Sequence, residues 1–200
     1  MVAKFSSQSW RDILRVCGSV SMSCPNENDV CRYLDLCFIG TNCIAFGSNT
    51  YQVSRVSVPC EITDIPFDYH LLVLPEKVPP RSRFIELHID EKKQEYTIVY
   101  IDGEDEEIDA SIVPFFAGGR IDYEDIFSKA QEQIWEYNHG FGKYHIAVNP
   151  KLLMAALDGM KSCDSVIFNF AGINQPFTVR PFDDDDGLAA KALIFPVKIP

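Results

Sequence analysis

Cysteine and histidine are the residues most able to bind a metal or act as nucleophiles, and in this sequence they are dispersed. The seven cysteines form no Cys-x-x-Cys pair, the spacing by which structural zinc sites often place two thiolates on one ion. No Gly-x-Ser-x-Gly, His-Glu-x-x-His or glycine-rich phosphate loop occurs. We therefore predict no catalytic residue, metal or cofactor, and interpret the cysteines as small core hydrophobes. They are Cys17, Cys24, Cys31, Cys37, Cys43, Cys60 and Cys163, and the histidines are His70, His88, His139 and His145.

Charged residues form two acidic runs and two sparsely basic helix faces. The runs at 104–107 and 183–186 contain only Asp and Glu and lack the alternate spacing of a calcium loop, so solvated turns are expected. Four basic residues could face a polyanion: two lie four positions apart on one helix, and two flank another. These residues are Arg11, Arg15, Lys151 and Lys161.

Composition favours a folded domain that is acidic overall. The chain has 200 residues, of which 46% are hydrophobic and 24% charged, enough to bury a core without disulfides or metals. Its 18 basic and 29 acidic residues give a net charge of -11, opposite to the usual footprint of a nucleic-acid-binding domain. The odd cysteine count and the absence of an apolar leader favour a reduced, cytoplasmic location. No apolar run approaches the ~20 residues of a membrane helix.

The candidate functional residues lie on secondary-structure elements whose order occurs twice in the sequence. A strand at 2–5, possibly an edge strand, a helix at 7–22 and three strands at 32–39, 43–47 and 51–58 form a β-α-β-β-β unit. The same order recurs at 144–199: a strand to 148, a helix starting at Asn149-Pro150, and strands at 166–170, 177–180 and 189–197. The expected fold class is α+β, with helices on one face of antiparallel sheets.

Between these units, strands are predicted at 69–74, 83–90, 96–101 and 107–113, with no room for a helix in the proline-rich connection after residue 74. Gly118-Gly119 indicates a boundary, followed by a mainly polar segment at 123–135 that could be helical. We accordingly divide the chain into a two-unit domain at 1–117, a linker or stunted unit at 118–143 and a half-domain at 144–200.

Several tracts resemble one known family. The sequences YHIAVNPKLLMAALDGM at 144–160, QPFTVRP at 175–181 and ALIFPVKI at 192–199 resemble the last half-domain of the bacterial DNA polymerase III beta subunit, the sliding clamp. SNTYQV at 48–53 stands where that family has a Thr-Asp-x-His-Arg-Leu tract. GRIDYEDI at 119–126 is similar to its Gly-Arg-Phe-Pro-Asp-Tyr linker.

The resemblance implies a non-enzymatic processivity factor of DNA replication. Clamps of this family are rings of repeated β-α-β units that encircle duplex DNA and recruit polymerase and other partners through short peptide motifs. Their helices line the hole, which would make Arg11, Arg15, Lys151 and Lys161 DNA-facing. The implied apolar groove for partner peptides comprises Tyr51, Val53, Ile121, Ile126, Leu193, Phe195, Val197 and Lys198.

Two departures keep alternatives open. Tyr51 and Gln52 replace the family's His and Arg, and Ile121 its linker proline, so partner preference can differ. About three units are counted against six in a full clamp subunit, which leaves ring closure as a homo-oligomer open. One alternative is a clamp-derived module that binds the same peptides and competes for clamp-binding partners without a ring. Another is a cysteine- or metal-dependent enzyme.

Overall fold

In the computed structural model, the chain is an α+β fold built on two antiparallel sheets, as expected. The structure describes residues 1–24, 26, 29–49, 52–137, 147–172, 175–182 and 191–196, with side chains omitted at 131–137. None of the described helices has the length and apolar character needed to cross a bilayer. The strands are β1 Val2–Ser6, β2 Leu34–Ile39, β3 Asn42–Ser48, β4 Gln52–Pro59, β5 Glu61–Thr63, β6 Tyr69–Val73, β7 Phe84–Asp90, β8 Glu95–Ile101, β9 Glu107–Pro114, β10 Val166–Phe170, β11 Phe177–Pro181 and β12 Lys191–Ile194.

The predicted helix at 7–22 is one continuous helical segment with a π-helical centre. It consists of α1 (Ser7–Ile13), a π turn (Leu14–Gly18) and α2 (Ser19–Met22), and the Ser6 hydroxyl caps its start by accepting from the Ser9 amide. A short 3-10 turn at Val30–Arg32 precedes β2. The other helices are α3 (Tyr123–Tyr137) and α4 (Pro150–Asp158), the latter capped by the Asn149 side chain as predicted.

Strand β1 corrects one sequence-based expectation. It does not join β2–β4 in one small sheet, and it is not an edge strand. Instead it pairs with β7 on one side and β5 on the other, in a five-stranded sheet of order β5-β1-β7-β8-β9, which we call sheet A. Partner choice over more than 80 residues, such as Val2 with His88, is not encoded by local periodicity. His88 is exposed, on the face of β7 opposite to that of the buried Ile85 and Leu87.

The second sheet joins the beginning and the end of the chain. Its order is β10-β11-β12-β4-β3-β2-β6, and we call it sheet B. The strands predicted for the C-terminal half-domain extend the sheet through the antiparallel pairing of β12 with β4, in which Leu193 lies opposite Val53. The first part of the predicted strand at 144–148 lies outside the described residues, as does all of 183–190. Sheet B therefore brings together residues from both ends of the sequence.

One large core lies between the two sheets and the helices. Trp10 and Ile13 of α1 and Cys17 of the π turn are fully buried in it, with Ala156 and Met160 from the region of α4. Alternate residues of both sheets fill the rest of the core, following the period of two that strands impose. The π turn packs closely on sheet B: the Cys17 Sγ donates to the Ala45 carbonyl at 3.3 Å.

The seven cysteines are free, and six are buried, which confirms their interpretation as core residues. Burial raises the pKa of Cys60 to about 12 and raises the pKa of Cys17 and Cys43 well above the ordinary thiol value. These thiols stay protonated at neutral pH, which makes them poor nucleophiles.

Candidate peptide-binding surface

The face of sheet B opposite the main core carries a second apolar cluster. Because side chains alternate along a strand, Leu36 and Phe38 of β2 enter the main core while Cys37 points to the other face. The same alternation places Leu193 in the second cluster, between Ala192 and Ile194 of the first, and Phe46 in the second cluster next to Ala45 of the first. We call this set of residues the outer cluster: Cys37, Phe46, Val53, Tyr123, Phe127, Ala130 and Leu193.

Helix α3 supplies the cover of the outer cluster. The Asp122 side chain accepts from the Asp125 amide at 3.0 Å and so caps the helix at its first residue. Positions 123, 127 and 130 then fall on one face, because their spacing matches the 3.6-residue period. Tyr123 stacks on Phe46 with ring centroids 5.4 Å apart, and Phe127 contacts the same ring at 6.1 Å.

Polar contacts fix α3 in this position. A hydrogen bond of 2.8 Å joins the Tyr123 hydroxyl to the Ser48 hydroxyl inside the protein. Burial raises the pKa of Tyr123 well above the ordinary phenol value, so the hydroxyl remains neutral and able to donate. At the edge, Arg55 Nε lies 3.9 Å from a carboxylate oxygen of Glu124. The start of α3 is thus packed on β3, hydrogen-bonded to it through Ser48 and ion-paired to β4 through Arg55.

The predicted groove residues converge on this surface. Val53 and Leu193 belong to the outer cluster, and Ile121 and Ile126 pack against it, although three separate segments provide them. Phe195 follows β12 with 38% of its surface exposed. Tyr51, Val197 and Lys198, also predicted for the groove, lie outside the described residues.

One feature of the groove was not predicted from the sequence. Leu193 is fully buried and Val53 only 6% exposed, and both belong to one cluster with Tyr123 and Phe127 of α3. From the sequence, the segment at 123–135 is predicted to be mainly polar and connecting, and it could be helical. Tyr123, Phe127 and Ala130 nevertheless have the i, i+4, i+7 spacing of a helix face that packs on another element. The predicted groove therefore has a buried part, at Val53 and Leu193, and a solvent-exposed part, at Phe195.

Three of the four predicted DNA-facing residues lie on helical segments, Arg11 and Arg15 on the first and Lys151 on α4, and Lys161 lies in the turn after α4. Arg11 and Lys151 are exposed. Arg15 reaches the Ser162 hydroxyl at 3.4 Å, so the first helical segment and the end of α4 are neighbours. The ion pairs of this surface reduce its positive charge: Arg15 with Asp12 at 2.8 Å and Lys161 with Asp158 at 3.1 Å.

Comparison with known proteins identifies the architecture. No protein-family model matches the sequence, and no curated protein matches it. Among solved structures, the DNA polymerase sliding clamp of Bacillus subtilis aligns with a TM-score of 0.68 and 11% identity, over 100% of this chain and 65% of that one. The DNA polymerase III beta chain of Streptococcus pneumoniae gives 0.72 and 10%, over 98% and 64%. The Helicobacter pylori beta clamp bound to a DNA ligase peptide gives 0.68 and 11%, over 99% and 66%.

These similarities concern the fold, since sequence identity is close to one residue in ten. The chain spans just under two thirds of the length of these clamps. The alignment nevertheless covers essentially all of this chain, including both sheets. The chain therefore has the fold of the bacterial DNA polymerase III beta sliding clamps.

Proposed function

We propose that this protein is a sliding-clamp-like processivity factor of DNA replication, which recruits partner proteins through short peptides bound at the outer face of sheet B. The observation that supports this most is the convergence of Val53, Ile121, Ile126 and Leu193 on one cluster, with the exposed Phe195 two residues after Leu193. A cluster of aliphatic and aromatic residues suits the leucine and phenylalanine anchors of an extended or helical peptide. The Helicobacter pylori beta clamp, which is similar in fold, is bound to a DNA ligase peptide, and this supports peptides as partners.

In this chain, the start of α3 occupies the floor of the proposed groove. Tyr123 and Phe127 provide two aromatic side chains against Phe46, Val53 and Leu193, which is the kind of anchor pair a partner peptide would supply. A peptide can therefore reach Val53 and Leu193 only in molecules in which α3 has moved away. Its apparent Kd is the intrinsic Kd divided by the fraction of such molecules.

The test is fluorescence anisotropy of a labelled Gln-Leu-x-Leu-Phe pentapeptide titrated with the protein. We expect saturable binding by the wild type and at least tenfold weaker binding by Phe195→Asp, because a carboxylate at the open end of an apolar groove is costly to desolvate. Phe67→Asp is the matched control, since Phe67 is 76% exposed and precedes β6, away from β12. Equal affinity of the two variants, or no binding by folded wild type, would contradict the proposal.

DNA encirclement is the second part of the proposal and requires a homo-oligomer. Arg11, Arg15, Lys151 and Lys161 would face the duplex, and a topological link needs few strong phosphate contacts. The ion pairs of Arg15 and Lys161, together with the net charge of -11, support the alternative of a peptide-binding module without a ring. Light scattering across a range of concentrations separates the two, because a concentration-independent monomer excludes a closed ring.

A further inference from the structure

Four side chains with metal-binding chemistry meet where β2 pairs with β6. In the antiparallel register, Cys37 lies directly opposite His70, and Asp35 points to the same face as Cys37 two residues earlier. Asp68 precedes β6, and its amide donates to the Phe38 carbonyl at 3.0 Å, which places its side chain beside the same pair. The sequence separations of these residues hide the cluster, because no two of them form a Cys-x-x-Cys or His-x-x-His motif.

Two of the separations between the donor atoms match those of a tetrahedral site. The Cys37 Sγ lies 3.3 Å from the Asp68 Oδ1, and the His70 Nε2 lies 3.5 Å from the same oxygen. All three donor atoms lie within 4.8 Å of one another. Zinc bonds of roughly 2.0–2.3 Å at tetrahedral angles place neighbouring donors roughly 3.3–3.6 Å apart. The three atoms can therefore share one ion after small side-chain rotations.

A buried carboxylate orients the histidine for this role. Asp35 is fully buried, and its Oδ1 lies 2.9 Å from the His70 Nδ1. With the Nδ1 proton donated to Asp35, the Nε2 lone pair is directed toward Cys37 and Asp68. Carboxylate, imidazole and metal in this order are the usual arrangement around a zinc-bound histidine. Asp68 is 64% exposed, which leaves access for the ion and for a water molecule as fourth ligand.

We propose that Cys37, Asp68 and His70 form a zinc-binding site, with Asp35 orienting His70. The mixed thiolate, imidazole and carboxylate donors favour a borderline transition ion such as Zn²⁺ over Mg²⁺ or Ca²⁺. On binding, the S–H bond of Cys37 is broken, its electron pair forms the bond to the ion, and its proton passes to solvent. Burial and the neighbouring carboxylate of Asp68 raise the pKa of Cys37 to about 12, and a dication adjacent to the sulfur acts in the opposite direction.

Arg120 is the residue that opposes the ion. Its Nη1 lies 2.8 and 3.1 Å from the two ring nitrogens of His70, and 3.3 Å from the Asp35 Oδ2. Because its N–H groups approach both ring nitrogens, Arg120 must turn away before the Nδ1 proton is donated to Asp35 and the Nε2 binds the ion. Its side chain is 39% exposed and can turn toward solvent. Removing it is expected to tighten metal binding, since one positive charge leaves the site.

The test is a titration of metal-free protein with Co²⁺, followed by displacement with Zn²⁺. We expect one ion per chain, with the strong visible bands of tetrahedral Co²⁺ and a near-ultraviolet thiolate charge-transfer band, and tighter binding by Arg120→Ala. Cys37→Ser should lose the charge-transfer band, and Asp68→Asn should bind at least about tenfold more weakly. Cys163→Ser is the matched control, because Cys163 is a free and partly exposed cysteine outside the cluster.

Asp68→Asn also separates loss of metal binding from loss of folding. The Asp68 side chain is mostly exposed, so the circular dichroism of this variant should match that of the wild type. A thiolate band that persists in Cys37→Ser, or one that disappears in Cys163→Ser, would overturn the assignment. So would wild-type protein that gives no thiolate band at saturating Co²⁺. None of these three outcomes depends on peptide or DNA binding, so the test is independent of the proposed function.

Discussion

A Gly47→Ala variant is expected to lose at least about 3 kcal/mol of folding stability, a large part of the 5–15 kcal/mol typical of a domain. A β-carbon at Gly47 would lie 2.3 Å from the Cys17 carbonyl oxygen and 2.8 Å from its carbon. These are backbone atoms of the π turn, so no side-chain rotation relieves the overlap. The helical segment and sheet B would have to separate, which would also disturb Phe46 and Ser48 on either side.

Denaturant unfolding of Gly47→Ala beside Gly119→Ala measures this effect. A β-carbon at Gly119 meets no atom within 4 Å, and its φ is not in the left-handed region, so its substitution should change stability by less than about 0.5 kcal/mol. Equal stability of both variants would mean that the π turn does not pack on β3 as described.

The second large effect concerns peptide affinity. Phe127→Ala is expected to bind the labelled pentapeptide at least tenfold more tightly than the wild type, although the mutation removes apolar surface. Phe127 is 4% exposed and contacts Phe46, and truncating such a side chain typically costs about 3–5 kcal/mol of packing. Part of that loss weakens the docking of α3, so a larger fraction of molecules presents Val53 and Leu193 to the peptide.

Phe182→Ala serves as the control for this measurement, because Phe182 is 60% exposed and its truncation should leave the affinity unchanged. Tyr123→Phe provides a finer comparison: it keeps the stacked ring and removes only the hydrogen bond to Ser48, so a smaller gain in affinity is expected. Weaker binding by Phe127→Ala would indicate that Phe127 itself contacts the peptide, and that α3 forms part of the groove.

Local patterns in the sequence predicted most strands to within a few residues, because period-two alternation and turn residues are short-range signals. Pairing was harder to predict. β1 joins β7 in sheet A, and this choice depends on shared burial across more than 80 residues. The metal-binding cluster was missed for the same reason: Cys37 and His70 become neighbours only through the register of β2 with β6.

The residues of the groove were likewise predicted only in part from the sequence. The resemblance to sliding clamps placed Val53, Ile121, Ile126 and Leu193 on one surface, and the structure brings them together. The resemblance did not indicate that α3 packs over this surface, because α3 extends beyond the tract at 119–126 that resembles the family linker. The signal was present in Tyr123, Phe127 and Ala130, whose spacing predicts an apolar helix face.

The central claim is that partner peptides and α3 compete for one surface on sheet B. Hydrogen exchange of the wild-type protein, with and without saturating pentapeptide, tests this claim most directly. We expect amides of α3 at 126–130 to exchange faster in the presence of peptide, while those of β12 at 192–194 become more protected. Unchanged exchange in α3, with protection appearing elsewhere on the protein, would contradict the account.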